Sequence, residues 1–388
     1  MPYSKQDIES YLEDIARRIS ITDDLFDDAN NEYKALGSWI NKKSEEEKTD
    51  YQVLIYPQGS FALGTVIRPI SDDDDYDLDL VCEIENGTRL LAKQLKVDVV
   101  KPWLVTYKKH STDIEEKRRC WHIDYDDLPS FHMDVIPSIP FSFAEEVINI
   151  TDKDEEKNSY SYQRSNPKGY VAWFLNVCKK RKETALNERE RLLVLSSTEQ
   201  EKLEDKRMKY PLQKAVQILK RHRDVMFKDD ENNTKPISII ITTLCGQVYD
   251  GETTIFDTIE GFLERVESFL NRNRAGGHYF ISNPSMPEEN FADKWIKHPE
   301  RQRAFFDWLN RLKADFNYDR LSRLDRVGFG KEIQKSFGTK TGTYIITQRG
   351  KSEANAVLNQ ELKVDTKTGN LSKTGSITVP PSHHYGET

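Results

Sequence analysis

The segment Tyr56–Ile84 reads YPQGSFALGTVIRPISDDDDYDLDLVCEI, and within it Asp77 and Asp79 stand one residue apart in an otherwise apolar run. Burying an unpaired carboxylate is costly, so something must compensate these two. On a strand, residues i and i+2 point the same way, roughly 7 Å apart. Asp77 and Asp79 therefore share one face, while Tyr76, Leu78 and Leu80 fill the other. Two carboxylates held side by side repel each other, and a divalent cation turns that repulsion into binding. The stretch HMDVIP repeats the pattern, with Asp134 among Met133, Val135 and Ile136. A third carboxylate on a neighbouring strand completes a site for two Mg2+ ions about 4 Å apart. Asp124, in WHIDY, is the rival for that third place.

Such a site suits phosphoryl or nucleotidyl transfer. One ion lowers the pKa of an attacking hydroxyl, and the other grips a triphosphate and supports the leaving pyrophosphate. The Gly59-Ser60 turn then has a role. Glycine lets the backbone approach phosphate, and N–H and hydroxyl groups donate to its oxygens. Taken singly these features say little. A lone Gly-Ser or Asp-x-Asp is common, and the four aspartates at 72–75 read as a solvated acidic loop. The ordered set is specific: Gly-Ser, then two aspartates on an apolar strand, then a later apolar strand with one more.

The elements that must position this set can be read from periodicity. Residues 4–48 read as helix, with Ile8, Leu12, Ile15 and Ile19 on one face, Thr22 as an N-cap, and Leu25, Ala29, Tyr33, Leu36 and Ile40 as a second stripe. From residue 51 the period shortens. YQVLIY, YDLDLVCEI, RCWHIDY and FHMDVIPSI read as strands, the last two joined by a DDLPS turn. From about residue 166 helices return: NPKGYVAWFLNVCKKRKE, PLQKAVQILKRHRDVMF and PERQRAFFDWLNRLKADF. KPISIIITTLCGQVY is too long and continuous for a half-exposed strand and reads as a buried helix. Lys220, Arg221 and Arg223 form a basic cluster beside an apolar stripe, a pattern that by itself usually marks a solvated face. The stretch from 338, rich in Gly, Thr, Ser and Lys, reads as largely mobile.

The bulk numbers bound the alternatives. At 388 residues the chain is long enough for about two packed units. A net charge of −8 argues against a constitutive, nonspecific nucleic-acid binder. No apolar run is long enough to span a bilayer, and the first residues read as a charged amphipathic helix rather than a signal peptide. Cys82, Cys120, Cys178 and Cys245 are far apart and lack zinc-type spacing, which suggests free buried thiols in a reducing, cytoplasmic compartment.

QGSFALGTVIRP followed by YDLDLV resembles the signature of the DNA polymerase β-like nucleotidyltransferases. More closely the chain resembles the CD-NTases, bacterial relatives of cGAS and the oligoadenylate synthetases that make second messengers in CBASS antiphage defence. SNPKGYVAWF, LQKAVQILKRHRD and NPSMPEENFADKW extend the resemblance through the helical half, over about residues 5–330. It implies an α+β fold: a nucleotidyltransferase core with a long N-terminal helix over residues 1–165, and an oligoadenylate-synthetase-like helical lobe over 166–337. A flexible tail at 338–388 lies outside it. It also implies that Gly59 and Ser60 are the family's Gly-Ser, and that Asp77, Asp79 and Asp134 are its metal-binding and catalytic triad. Lys220, and more loosely Ser238, match residues that reach triphosphate; Asn290 and Trp295 match packing and capping positions.

The resemblance implies two Mg2+ ions, replaceable by Mn2+, with ATP and a second NTP as substrates and a cyclic, adenine-containing di- or trinucleotide as product. A linear oligoadenylate-type polymerase and an inactive nucleotide-binding scaffold are the alternatives. Some such proteins are encoded beside HORMA-type activators, others beside ubiquitin-like conjugation machinery that acts on the C-terminus. A tail ending HHYGET is compatible with the latter.

Overall fold

The computed structural model describes residues 3–47, 49–70, 76–107, 114–124, 131–142, 146–154, 156–180, 209–361, 363–364, 371–372 and 376–379. The acidic run at 72–75, the DDLPS turn and the terminal HHYGET lie outside the described residues.

The N-terminal helical pattern resolves into α1 (Lys5–Ile19) and α2 (Asp23–Glu46). A capping box between Ser4 and Asp7 starts α1. Thr22 caps α2 by accepting from the Leu25 amide, with Asp23 and Asp24 in its first turn, where carboxylates suit the helix dipole. The two helices serve different cores. Ala29, Leu36 and Ile40 of α2 pack with the sheet residues Leu78, Leu80 and Val135. Ile8, Leu12, Ile15 and Ile19 of α1 pack instead with Leu212, Val216 and Leu219 of the helical lobe. The expected boundary, which groups everything before residue 165 with the sheet, thus cuts across the packing of α1.

A seven-stranded mixed sheet follows. It runs β1 (Val53–Pro57), β2 (Tyr76–Ile84), β5 (Phe131–Ser142), β4 (Trp121–Asp124) and β3 (Ile114–Glu116) in spatial order. β6 (Val147–Asp154) pairs with the far half of β5, and β7 (Ser159–Ser165) pairs with β6. A single helical turn, α3 (Gly59–Ala62), sits between β1 and β2. Between β2 and β3 lie a π-helical segment (Gln94–Val100) and α4 (Lys101–Val105). β2 and β5 are parallel neighbours; the other pairings in this sheet are antiparallel.

The lobe comprises α5 (Pro167–Cys178), α6 (Pro211–Met226), α7 (Ser238–Val248), α8 (Ile255–Arg272), α9 (Pro299–Asp315) and α10 (Arg326–Phe337) around one apolar core. Asn166 caps α5 by accepting from the Gly169 amide at 2.8 Å. The apolar run after Lys235 is the buried helix that its length implied: Ile240, Ile241 and Leu244 of α7 are almost wholly covered.

The expectation of a mobile stretch from 338 fails for its first part. Thr339–Leu358 forms a helix, α11, packed against α10 and α1. Its anchors explain why the pattern was faint. Only Ile345 is a large buried apolar residue. Arg349 supplies the rest, donating to Asp14 at 2.7 Å and lying 3.8 Å over the Tyr11 ring. All four cysteines are buried and free. Among the described residues no helix is long and apolar enough to cross a membrane.

Candidate active site

Three adjacent strands build the site. Tyr76, Leu78 and Leu80 of β2 turn inward and are at most 5 % exposed, so the alternate residues Asp77 and Asp79 face the opposite way. The parallel register sets Asp79 beside Asp134 and Asp77 beside His132. On the other side of β5, Asp134 opposes His122 and His132 opposes Asp124. The result is a grid two residues deep and three strands wide on one face: Asp79, Asp134 and His122, then Asp77, His132 and Asp124. Asp134, rather than Asp124, is the carboxylate that adjoins Asp79.

The Gly59-Ser60 turn closes over this grid. The Gln58 amide donates to the Asp79 carbonyl at 2.9 Å, fixing the turn to β2. Gly59 has φ +59°, and a Cβ there would lie 2.3 Å from Asp79 Oδ2. Only glycine meets both requirements. Across the cleft, α6 presents Lys220, whose Nζ donates to the Thr65 carbonyl at 2.9 Å. Gly59, Ser60, Asp77, Asp79, Lys220 and Ser238 line one cavity of about 560 Å³ between the sheet and the lobe. That volume lies within the usual range for small-molecule sites.

The electrostatics follow from this crowding. Burial and the neighbouring Asp134 and Asp77 push the Asp79 carboxyl up to about 7. Asp77 is held below the usual carboxylate range, chiefly by its hydrogen bond from His132. Burial, with Arg223 nearby, pushes Lys220 down to about 8, although Asp224, Asp77 and Asp79 favour its charged form. Among the described residues the Asp79 carboxylate receives no hydrogen bond. An acceptor-rich cluster with a carboxylate this strained fits hard divalent cations, and Asp77, Asp79 and Asp134 could hold them.

The basic cluster on α6 is not a solvated face. Lys220, Arg221 and Arg223 are each at most 5 % exposed. Arg223 donates to the Ser238 hydroxyl at 2.8 Å and to the Pro236 carbonyl at 2.9 Å, setting the start of α7 at the cavity wall. Arg221 donates to the Arg68 carbonyl. Asn290 and Trp295 do pack and cap. The Asn290 amide oxygen accepts from the Ile281 and Ala292 amides, and Trp295 packs on Phe305. Sequence reasoning missed His122 and His132. The period-2 alternation in WHID and FHMD, which marked Asp124 and Asp134, also puts these histidines on the polar face.

Residues 7–177 match the family described as Second Messenger Oligonucleotide or Dinucleotide Synthetase domain. The chain is also 30 % identical, over 321 residues, to the c-di-GMP synthase of Roseivirga ehrenbergii, covering 81 % of this chain and 80 % of that protein. It belongs to the CD-NTase family. As a CD-NTase it is a nucleotidyltransferase, a cyclic oligonucleotide synthase. Its fold is that of solved CD-NTases. The structure of CdnG from Bradyrhizobium diazoefficiens in complex with GTP is similar, with a TM-score of 0.68 and 21 % identity over 89 % of this chain and 98 % of that one. The E. coli MS115-1 CdnC:HORMA-deltaN complex is also similar, with a TM-score of 0.57 and 14 % identity over 85 % and 96 %.

Proposed function

We propose that this CD-NTase joins two nucleoside triphosphates into a cyclic dinucleotide, with GTP as a substrate, using divalent cations held by Asp77, Asp79 and Asp134. The observation that carries the reading is that Asp77 and Asp79 line one cavity with Gly59 and Lys220, with Asp134 beside Asp79 on the next strand. The two related proteins favour guanine over the adenine expected from the wider resemblance: one is named a c-di-GMP synthase, and the other was solved with GTP. An adenine-containing product is the runner-up.

In this reading the chain orients two nucleotides. The open backbone at Gly59 admits a triphosphate, the Ser60 hydroxyl and the Lys220 ammonium donate to its oxygens, and Ser238 supports it from the lobe. Asp134 would take the proton that the acceptor ribose hydroxyl loses. The hydroxyl oxygen bonds to the donor α-phosphorus, the bond to the β-phosphate oxygen breaks, and pyrophosphate leaves with the electron pair. A second transfer with the roles exchanged closes the ring and releases a second pyrophosphate. Mg2+, or Mn2+ in its place, would lower the hydroxyl pKa and neutralise the pyrophosphate charge when bound. A role in antiphage signalling, with a HORMA-type or ubiquitin-like conjugation partner, belongs to the same proposal; the HORMA complex of the similar CdnC supports the former.

The test is a product assay: purified protein with all four NTPs and Mg2+ or Mn2+, phosphatase treatment, then mass spectrometry. The expected product is a phosphatase-resistant cyclic dinucleotide containing guanine. It should vanish in the Asp77→Ala, Asp79→Ala double variant while the circular dichroism spectrum is unchanged. A phosphatase-sensitive product would show linear synthesis instead, and full activity in the double variant would refute the site.

A further inference from the structure

The carboxylates of the nucleotide cleft leave one side of the polar grid unexplained. His122, Asp124 and His132 each offer one donor atom, and these atoms all lie within 4.8 Å of one another. We propose that they form a separate binding site for a first-row transition-metal dication of the Mn2+ to Zn2+ series, set beside the nucleotide-transfer carboxylates on the same face of the sheet.

The hydrogen bonds orient the donors for this. His122 Nδ1 lies 2.7 Å from Asp134 Oδ1. An ionised carboxylate only accepts, so Nδ1 donates to Asp134, which leaves Nε2 as the ring's possible ligand atom. An imidazole that binds a metal through one nitrogen usually donates from the other to a carboxylate or carbonyl. Nε2 in turn lies 3.2 Å from Asp124 Oδ1. Two ligands about 2.1 Å from a tetrahedral ion stand roughly 3.4 Å apart, so this pair is already spaced as adjacent ligands. His132, bonded to Asp77 through Nε2, completes the triangle from the next strand.

The two imidazole rings are 4.4 Å apart between centroids and tilted by 49°, so both lie together on one face of the β4–β5 pair. The histidine side chains are 18 % exposed and Asp124 is 55 % exposed, so the site opens to water on the Asp124 side and admits an ion. Two imidazoles and one carboxylate suit the transition series and not Mg2+, which prefers all-oxygen shells.

The site would act on the cleft by positioning. His122 holds Asp134 and His132 holds Asp77, so an ion on the two rings fixes two of the three carboxylates from the side. This inference rests on the histidine geometry and stands whether or not the nucleotide-transfer reading does.

The experiment is a Co2+ titration of the full chain in millimolar Mg2+, followed by visible absorption and by calorimetry. The expected result is one equivalent that Mg2+ does not displace, with an absorption band of nitrogen-ligated Co2+. Affinity should fall at least about tenfold in His122→Gln and in Asp124→Asn, the second lying at an exposed strand end where folding is least at risk. It should persist in a His383→Gln, His384→Gln double variant, which removes the paired histidines of the tail. Retained affinity in a folded His122→Gln and in Asp124→Asn, displacement by Mg2+, or loss with the tail histidines would each overturn the site. Loss of Mg2+-dependent product with an intact Co2+ signal would count against the nucleotide-transfer reading alone.

Discussion

Asp79 carries the clearest physical signature at the scale of single residues. Its folded pKa, about 7, lies well above that of an aspartate in an unfolded chain, about 3.9. Between those values the folded state binds more protons than the unfolded state, so metal-free stability falls as pH rises from about 4 to about 7. Asp79→Asn removes that penalty. In EDTA at pH 8 the variant should melt above wild type, and the gap should close below about pH 4. Mg2+ should raise the wild-type melting temperature at pH 8 and leave the variant nearly unmoved. An unchanged gap across this range in thermal melts would remove the crowding argument. Gly59 makes a different prediction. Gly59→Ala sets a methyl group against Asp79 Oδ2 in a left-handed backbone, at a folding cost of about 1–2 kcal/mol. Its larger effect falls on chemistry, because the turn or the carboxylate must shift. A loss of product rate on the order of 100-fold is expected, read as kcat with melting curves in parallel.

At the scale of elements, α6 is the hinge of the argument. The Gln213, Gln217, Lys220 and Arg221 side chains donate to the carbonyls of Leu63, Val66, Thr65 and Arg68, so one helix satisfies the irregular backbone that follows the Gly-Ser turn. Burial of these polar side chains is what a stripe of apolar residues could not announce. α11 is the second instructive element. Truncation after Gly338 removes Arg349 from Asp14 and from the Tyr11 ring and uncovers surface on α1 and α10. Such a variant should melt several degrees lower than wild type, since a loss of 1 kcal/mol in a domain of this size shifts Tm by about 2–4 °C. An unchanged Tm would mean that α11 adds nothing to the lobe.

On the scale of the whole molecule, two apolar cores flank a polar cleft, and α1 joins the chain's first residues to its helical lobe. The net charge is −8 and the cleft concentrates carboxylates at its sheet wall. Added double-stranded DNA or RNA should therefore leave product formation unchanged. Stimulation by nucleic acid, measured in the same mass-spectrometric assay, would reveal a basic surface that the charge balance argues against.

Alternation and helical period in the sequence were sufficient for the strands that carry Asp77, Asp79 and Asp134, the two N-terminal helices and the buried helix α7. These are local properties: each strand's apolar face dictates which residues point the other way. The Gly-Ser pair was legible as part of the ordered set it forms with these aspartates, although its left-handed backbone and its approach to Asp79 are seen only in the structure. Register was not. That Asp134 rather than Asp124 stands beside Asp79, and that His122 and His132 join them, depends on which strands pair and at what offset, and β2 and β5 are separated by more than forty residues of chain. The burial of Lys220 and Arg221 is also tertiary, since their partners are carbonyls some 150 residues away. So is the order of α11, held by an arginine on an aspartate 335 residues distant. Periodicity reports burial of apolar surface along one element; it carries no information on which distant groups meet the polar ones.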